Sequence, residues 1–292
     1  MSLPFFAWVP GTIIIAGKQP DGDSVRFVPD DADALAHIYR AHLLRPSRAD
    51  GSHQLRLEGI DAPETHYGNH AQPFGDEARD HFLKRVLGFG RLEFKGQTVV
   101  SAEPETLKAA ILTQAADVHG RPICYLLREG DAANPFGGGT TGRVDAGTLA
   151  RTANLAMVQA GQAYPLLYTS APREHRAAFA EAGRRARDGG SGVWELDATP
   201  RFALRDRRSI EAGSARAQLI FPKLFRRATD YLTAAGRGFD GDLVDWLGRN
   251  GAEDDLVVVD GVHEVPLSVL LRRENDRYRF DADVTEAVFV ER

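Results

Sequence analysis

Along the chain, apolar residues alternate with polar ones in some stretches and recur every three to four positions in others, and the switches between these two periods outline the elements. Thr12 to Ala16 reads as a first strand. The Asp21-Gly22 turn signal then precedes Val25 and Phe27 alternating with Ser24 and Arg26, which predicts a hairpin. Asp30 to Arg45 sets Leu35, Ile38, Tyr39 and Leu43 at helical spacing behind acidic starter residues, predicting a helix inserted before the next strand at His53 to Ile60. Phe74 to Leu87 places Ala78, Phe82, Leu83, Val86 and Leu87 on one helical face. RLEFKGQTVV and RPICYLLRE read as strands, whereas Ser101 to Ala116 has no firm assignment. Helices follow near Thr148 to Ala160 and Pro172 to Arg187.

From about Ala198 the composition shifts. Arg201, Arg205, Arg207, Arg208, Arg216, Lys223, Arg226 and Arg227 face only Asp206 and Glu211, while the tail from Gly238 is acid-rich. The shift divides the chain into residues 1–197, with insertions near 30–54 and 131–147, and residues 198–292. The second part should hold a helix from Pro222 to Ala235, a short helix around Leu243, Trp246 and Leu247, and strands at LVVVD and AVFVE. Its basic run reads either as a nucleic-acid contact or as a solvated helix face. The stretch NPFGGGTTGR lacks the Lys-Ser/Thr ending of a phosphate loop and reads as a surface loop.

The chain has 292 residues and a net charge of -5, which excludes a generally basic nucleic-acid coat and requires any polyanion site to be local. Cys124 is the only cysteine, so neither an intrachain disulfide nor a thiolate metal cluster is available, and its place in a strand reads as apolar filling. The apolar N-terminal stretch carries no Lys or Arg before Lys18 and is interrupted by Pro10 and Gly11, unlike a secretory signal. No apolar run approaches the length of a membrane span. Both features lead us to expect a cytoplasmic protein with no membrane partner.

Candidate chemistry gathers around LRLEGIDAPETHYG. Asp23, Asp61 and Glu64 are hard oxygen donors at turns, the set a divalent cation such as calcium takes, and Pro63 fixes the backbone so that the Ala62 carbonyl is a further donor. Arg56 lies an odd number of positions before Asp61, so the two share a site only if the strand bends, and Gly59 is the place for it. Arg121, in VHGRP, adds a second guanidinium, and two arginines with a cation suit a phosphodiester. His66 and His70 have helical ligand spacing, but Gly68 and Asn69 suggest a loop without a third ligand.

DGDSVRF, LRLEGIDAPET and DVHGR, in this order and followed by a helix ending in GVW, resemble the staphylococcal nuclease (thermonuclease-like, SNase-domain) family over roughly Gly11 to Leu196. The resemblance implies an α+β fold, a five-stranded OB-fold β-barrel capped by helices, here followed by a C-terminal mixed α/β extension. It also implies a metal-dependent phosphodiesterase, an endonuclease that uses calcium to hydrolyse single-stranded DNA or RNA. By matching position, Asp23, Asp61 and the Ala62 carbonyl would hold calcium together with Glu64. Glu64 would also orient or deprotonate the attacking water, and Arg56 and Arg121 would bind and stabilise the phosphate. His119 stands where an aromatic commonly precedes Gly-Arg, and Tyr164 and Tyr168 lie near the family's substrate-stacking tyrosines. The rival reading is a non-catalytic module that binds nucleic acid or protein on the same barrel, kept open by the large insertions and the acidic balance.

Overall fold

The computed structural model describes residues 5–291. The first part of the chain contributes strands β1 (Phe6–Ile14), β2 (Arg26–Pro29), β3 (His53–Gln54), β4 (Arg56–Leu57), β5 (Gly59–Asp61), β6 (Arg91–Lys95), β7 (Thr98–Glu103), β8 (Thr106–Ala116), β9 (Pro122–Arg128), β10 (Thr141–Gly142) and β11 (Tyr164–Tyr168). Its helices are α1 (Gly75–His81), extended by a π-helical turn Phe82–Leu87, then α2 (Ala146–Leu149), α3 (Ala153–Gln159), α4 (Arg173–Asp188) and α5 (Val193–Leu196).

The main sheet has the order β3-β2-β1-β8-β9-β4, with β10 added along β1. Its two edge strands, β3 and β4, are the same stretch of chain on either side of Leu55, whose N–H donates to the Val25 carbonyl. One stretch thus pairs with β2 on one side and, in parallel, with β9 on the other. The result is a nearly closed, barrel-like sheet, and its seven strands replace the expected five because this edge stretch and the loop strand β10 are counted separately. Residues of β1, β8 and β9, among them Val9, Ile13, Ile111 and Leu126, are fully buried with Phe82, Leu83, Met157 and Phe179 from the helices.

Several expectations change. The first strand begins at Phe6, not Thr12, and runs through Pro10, whose carbonyl accepts from the Asp30 N–H. Asp30 to Arg45 is not a helix: it forms short 3-10 turns at Ala32–Leu35 and Ala41–Leu43. Between them the Tyr39 N–H donates to the Gln114 carbonyl and the Tyr39 carbonyl accepts from Ala116. Edge pairing with β8 thus takes up backbone groups that a helix would have used internally. Ser101 to Ala116 contains the long central strand β8, whose centre, Ala109 to Thr113, is buried on both faces and leaves little alternation to read.

Beyond Leu196 come β12 (Arg201–Ala203), α6 (Pro222–Gly236), α7 (Leu243–Arg249), β13 (Leu256–Val259), β14 (His263–Pro266), β15 (Leu271–Glu274), β16 (Arg277–Phe280) and β17 (Val288–Phe289). This segment is stitched to the first. β17 pairs in parallel with β11, giving the sheet β14-β13-β17-β11-β5. A second apolar cluster joins Tyr164, Leu166 and Trp194 to Phe221, Leu224, Phe225, Trp246 and Phe289. The sequence boundary at 197/198 therefore does not separate the cores. Among the described residues no helix is long and apolar enough to cross a membrane.

Candidate active site

The chain leaves the barrel where β4 ends. Gly59 has φ +82°, and a Cβ there would lie 2.7 Å from the Phe179 ring, so the bend requires glycine. β5 then pairs with β11, Asp61 opposite Tyr164, instead of continuing along β9. This switch of sheets resolves the odd offset of Arg56 and Asp61, and both line one cavity of about 1140 Å³.

Of the carboxylates lining that cavity, four, Asp21, Asp23, Asp61 and Glu64, act on one another. Asp61 is 3% exposed. Asp23, in the loop after β1, accepts from the Ala62 N–H at 3.1 Å, and Ala62 is itself buried. Burial, reinforced by Asp61 and Glu64, pushes the Asp23 carboxyl up to about 7. The Glu64 carboxyl is likewise raised by burial, against the pull of Arg226. Asp21, which the sequence reading passed over, accepts from the Gly22 N–H at 2.8 Å and the Thr65 N–H at 3.3 Å, and burial together with Asp23 and Glu64 raises it too.

Arg56 and Arg121 line the same cavity. The Arg56 guanidinium is 4.9 Å from the centroid of the Tyr168 ring, with Nη1 3.9 Å from Glu291 Oε1. Burial works against the charge of Arg56, but Tyr168, Glu291 and Glu58 outweigh it and raise its pKa. Arg121 donates from its backbone N–H to Asp117 Oδ1 at 2.9 Å and from Nε to Oδ2 at 2.7 Å. Gly120 shapes this turn at φ +84°, where a Cβ would meet the Leu43 carbonyl oxygen at 2.4 Å. The insertion before β3 thus buttresses the turn that carries Arg121, its Arg45 N–H donating to the Gly120 carbonyl.

His119 is exposed and, with the half-buried Tyr168, lines the cavity. Tyr164 does not. It is 0% exposed, its hydroxyl donates to Asp197 Oδ1 at 2.9 Å, and its ring packs edge-on against Trp194 and Phe221. The expectation that Tyr164 stacks on substrate gives way to core packing. His66 and His70 are not a metal pair: His66 Nδ1 meets the Thr65 hydroxyl, and His70 contacts Glu211 and Arg207.

The principal residue missed from sequence is Arg226. Its Nη1 and Nη2 donate to Asp61 Oδ1 and Oδ2 at 2.9 and 3.0 Å, and Nη1 also donates to Glu64 Oε1 at 2.5 Å. The rest of its helix behaves similarly. Lys223 Nζ is 3.1 Å from Asp255 Oδ1 and donates to the Tyr168 hydroxyl at 3.2 Å, and Arg227 pairs with Asp255 and Glu253. The basic residues of α6 are therefore internal ion-pair donors, neither a solvated face nor an open nucleic-acid contact. A signal was present, since Lys223, Arg226 and Arg227 interleave with Leu224, Phe225 and Ala228, but the sequence alone does not name their partners.

The donor chemistry fits a hard divalent cation: all four groups are carboxylates, and burial with mutual repulsion disfavours their charged forms, a cost that a bound cation would relieve. Their arrangement is another matter. Among the described residues no group of three or more His, Cys, Asp or Glu side chains is set to hold a metal ion as it stands, and Arg226 occupies the space shared by Asp61 and Glu64.

A family model described as staphylococcal nuclease homologue matches residues 54–196. No curated protein matches the chain.

Proposed function

We propose that the chain hydrolyses phosphodiester bonds of single-stranded DNA or RNA in the cavity between β4, β5 and α6, a reading supported by the match of residues 54–196 to the staphylococcal nuclease homologue model, a domain that in family members is a nuclease. The observation that carries this reading is the sheet switch at Gly59, which brings Arg56 to the same cavity as Asp61 and Glu64.

Arg56 and Arg121 present forked donors that suit the nonbridging phosphate oxygens, where charge accumulates as water attacks phosphorus. Glu64 takes the proton from the attacking water; the P–O bond to the leaving sugar oxygen breaks, and that oxygen takes up a proton from solvent water. The raised Glu64 carboxyl moves its basicity toward neutral pH, as a general base requires. Calcium, held by Asp23, Asp61 and Glu64 with the Ala62 carbonyl, would supply Lewis-acid polarisation of the phosphate. Tyr168 and His119 offer surfaces for a base beside Arg56 and Arg121.

The test is release of acid-soluble nucleotides from single-stranded DNA and RNA in calcium, compared with Glu64→Gln. The reading expects release by the wild type and its near-complete loss in the variant. Release unchanged by the substitution would overturn the role given to Glu64.

A further inference from the structure

The extension meets each half of the cleft with the charge that its ligand would bring. Against the carboxylates it sets a cation, Arg226, fork-on to Asp61 and bridged to Glu64. Against Arg56 it sets an anion, Glu291, on the residues just after β17. The placement is not incidental to a loose tail, because α6 and β17 are both anchored. Gln72 Nε2 donates to the Ile220 carbonyl at 2.7 Å just before α6, while the Gln72 amide oxygen accepts from the Glu64 N–H at 3.2 Å. Tyr67 donates to Asp230 on α6 at 2.9 Å, and β17 is hydrogen-bonded to β11. The loop that carries Glu64 and the helix that carries Arg226 are thus tied to each other.

We infer that Arg226 is the resident cation of the carboxylate site and sets its metal requirement, so that a divalent ion binds Asp61 and Glu64 only by displacing the Arg226 guanidinium. This rests on the reading of those carboxylates as metal ligands. A guanidinium held by two oxygens of Asp61 and one of Glu64 engages lone pairs that a hard cation would use, and a divalent ion on those same oxygens would meet its positive charge at close range. Glu291 is the counterpart at Arg56, which an incoming phosphate must likewise displace. Arg226 is thereby a specificity-determining residue: it makes the site respond to the concentration of divalent ion. If the arginine-out form is populated at about one part in ten to one in a hundred, apparent metal affinity falls about ten- to a hundredfold.

The experiment is calorimetric titration of calcium into the full chain, for wild type, Arg226→Ala, Arg226→Lys and the double variant Arg226→Ala/Glu64→Gln. Arg226→Ala should bind calcium about tenfold or more tightly than wild type, and Arg226→Lys, which keeps the charge but loses the fork, should fall between them. The double variant should lose that gain, which locates it at this site. Should Arg226→Ala fail to fold, Arg226→Lys against wild type carries the comparison alone. Equal affinities in wild type and the position-226 variants would overturn the inference while leaving the metal reading standing. A gain that survives Glu64→Gln would overturn it by placing the ion elsewhere. Absence of calcium binding in every protein would overturn the metal-ligand reading itself.

Discussion

The chain up to Leu196 and the segment that follows it contribute to one cleft in opposite senses. The first supplies an acidic cluster of Asp21, Asp23, Asp61 and Glu64, of which Asp61 and Glu64 lie within the family match, together with Arg56 and Arg121. The extension supplies Arg226 to the acids and Glu291 to Arg56. In the first region like charges are gathered in a buried place, and burial, reinforced by their mutual repulsion, raises Asp23 and Glu64. In the second, unlike charges are gathered as pairs, as between Arg227 and Asp255 or Lys223 and Asp255. Repulsion kept in a buried site marks a place prepared for a ligand, whereas paired charges mark a place prepared to stay shut.

The sharpest way to break this comparison is at the acids. Glu64→Gln should lower nucleotide release by about 10²- to 10⁴-fold, the range for loss of a general base, with the circular dichroism spectrum unchanged. A variant that cleaves normally would put the chemistry elsewhere in the cleft. Next in size is the shared core. Phe221 is 1% exposed, packs on Tyr164 and Phe289, and belongs to the extension, so Phe221→Ala should cost about 3–5 kcal/mol and destabilise the whole chain in a single transition. If unfolding instead splits, with the part before residue 197 melting as in wild type, the two regions are independent and the comparison is one between separate domains.

A smaller effect comes from Glu58, which sits between the two regions, with Arg56 and Glu291 as its charged neighbours. Its Oε1 is buried without a hydrogen-bond partner, and burial pushes the carboxyl up to about 7 even though Arg56 pulls it down. The folded chain therefore holds this proton more tightly than the unfolded one. The stabilisation is complete below the ordinary carboxyl value of 4.5 and is lost as pH rises through about 7. Glu58→Gln should flatten the stability profile across that window and leave the variant more stable than wild type above it, as read by urea midpoints. A wild-type profile that is flat there would contradict the assignment. The smallest expected effect is Tyr164→Phe, which removes the hydroxyl donated to Asp197 and should lower stability by about 0.5–1.5 kcal/mol without changing activity. A large loss of activity would return Tyr164 to the substrate site.

What the sequence disclosed follows the same division. The motifs around Asp23, Asp61 and Arg121 were legible because turns and strand ends use residues with narrow conformational roles, and Gly59 was identifiable as the bend from the odd spacing of Arg56 and Asp61 alone. Helices with a clear apolar face, such as Pro222–Gly236 and Arg173–Asp188, fell within a residue or so of their sequence bounds. The strand Thr106–Ala116 escaped because its centre is buried on both faces and loses its alternation. The helix expected at Asp30 to Arg45 failed because edge pairing along β8 overrode a local helical pattern. Arg226 was invisible as a site residue for a different reason: it lies 165 positions from Asp61, and a partnership at that separation exists only once the fold has formed.

The most direct test of the central claim, that this cleft cleaves phosphodiesters, is release of acid-soluble nucleotides by the wild-type chain from single-stranded DNA, with calcium and again with a calcium chelator. The account predicts release in calcium that the chelator abolishes. No release in either condition would contradict it and would leave a barrel whose cleft binds nucleic acid, if at all, without cutting it.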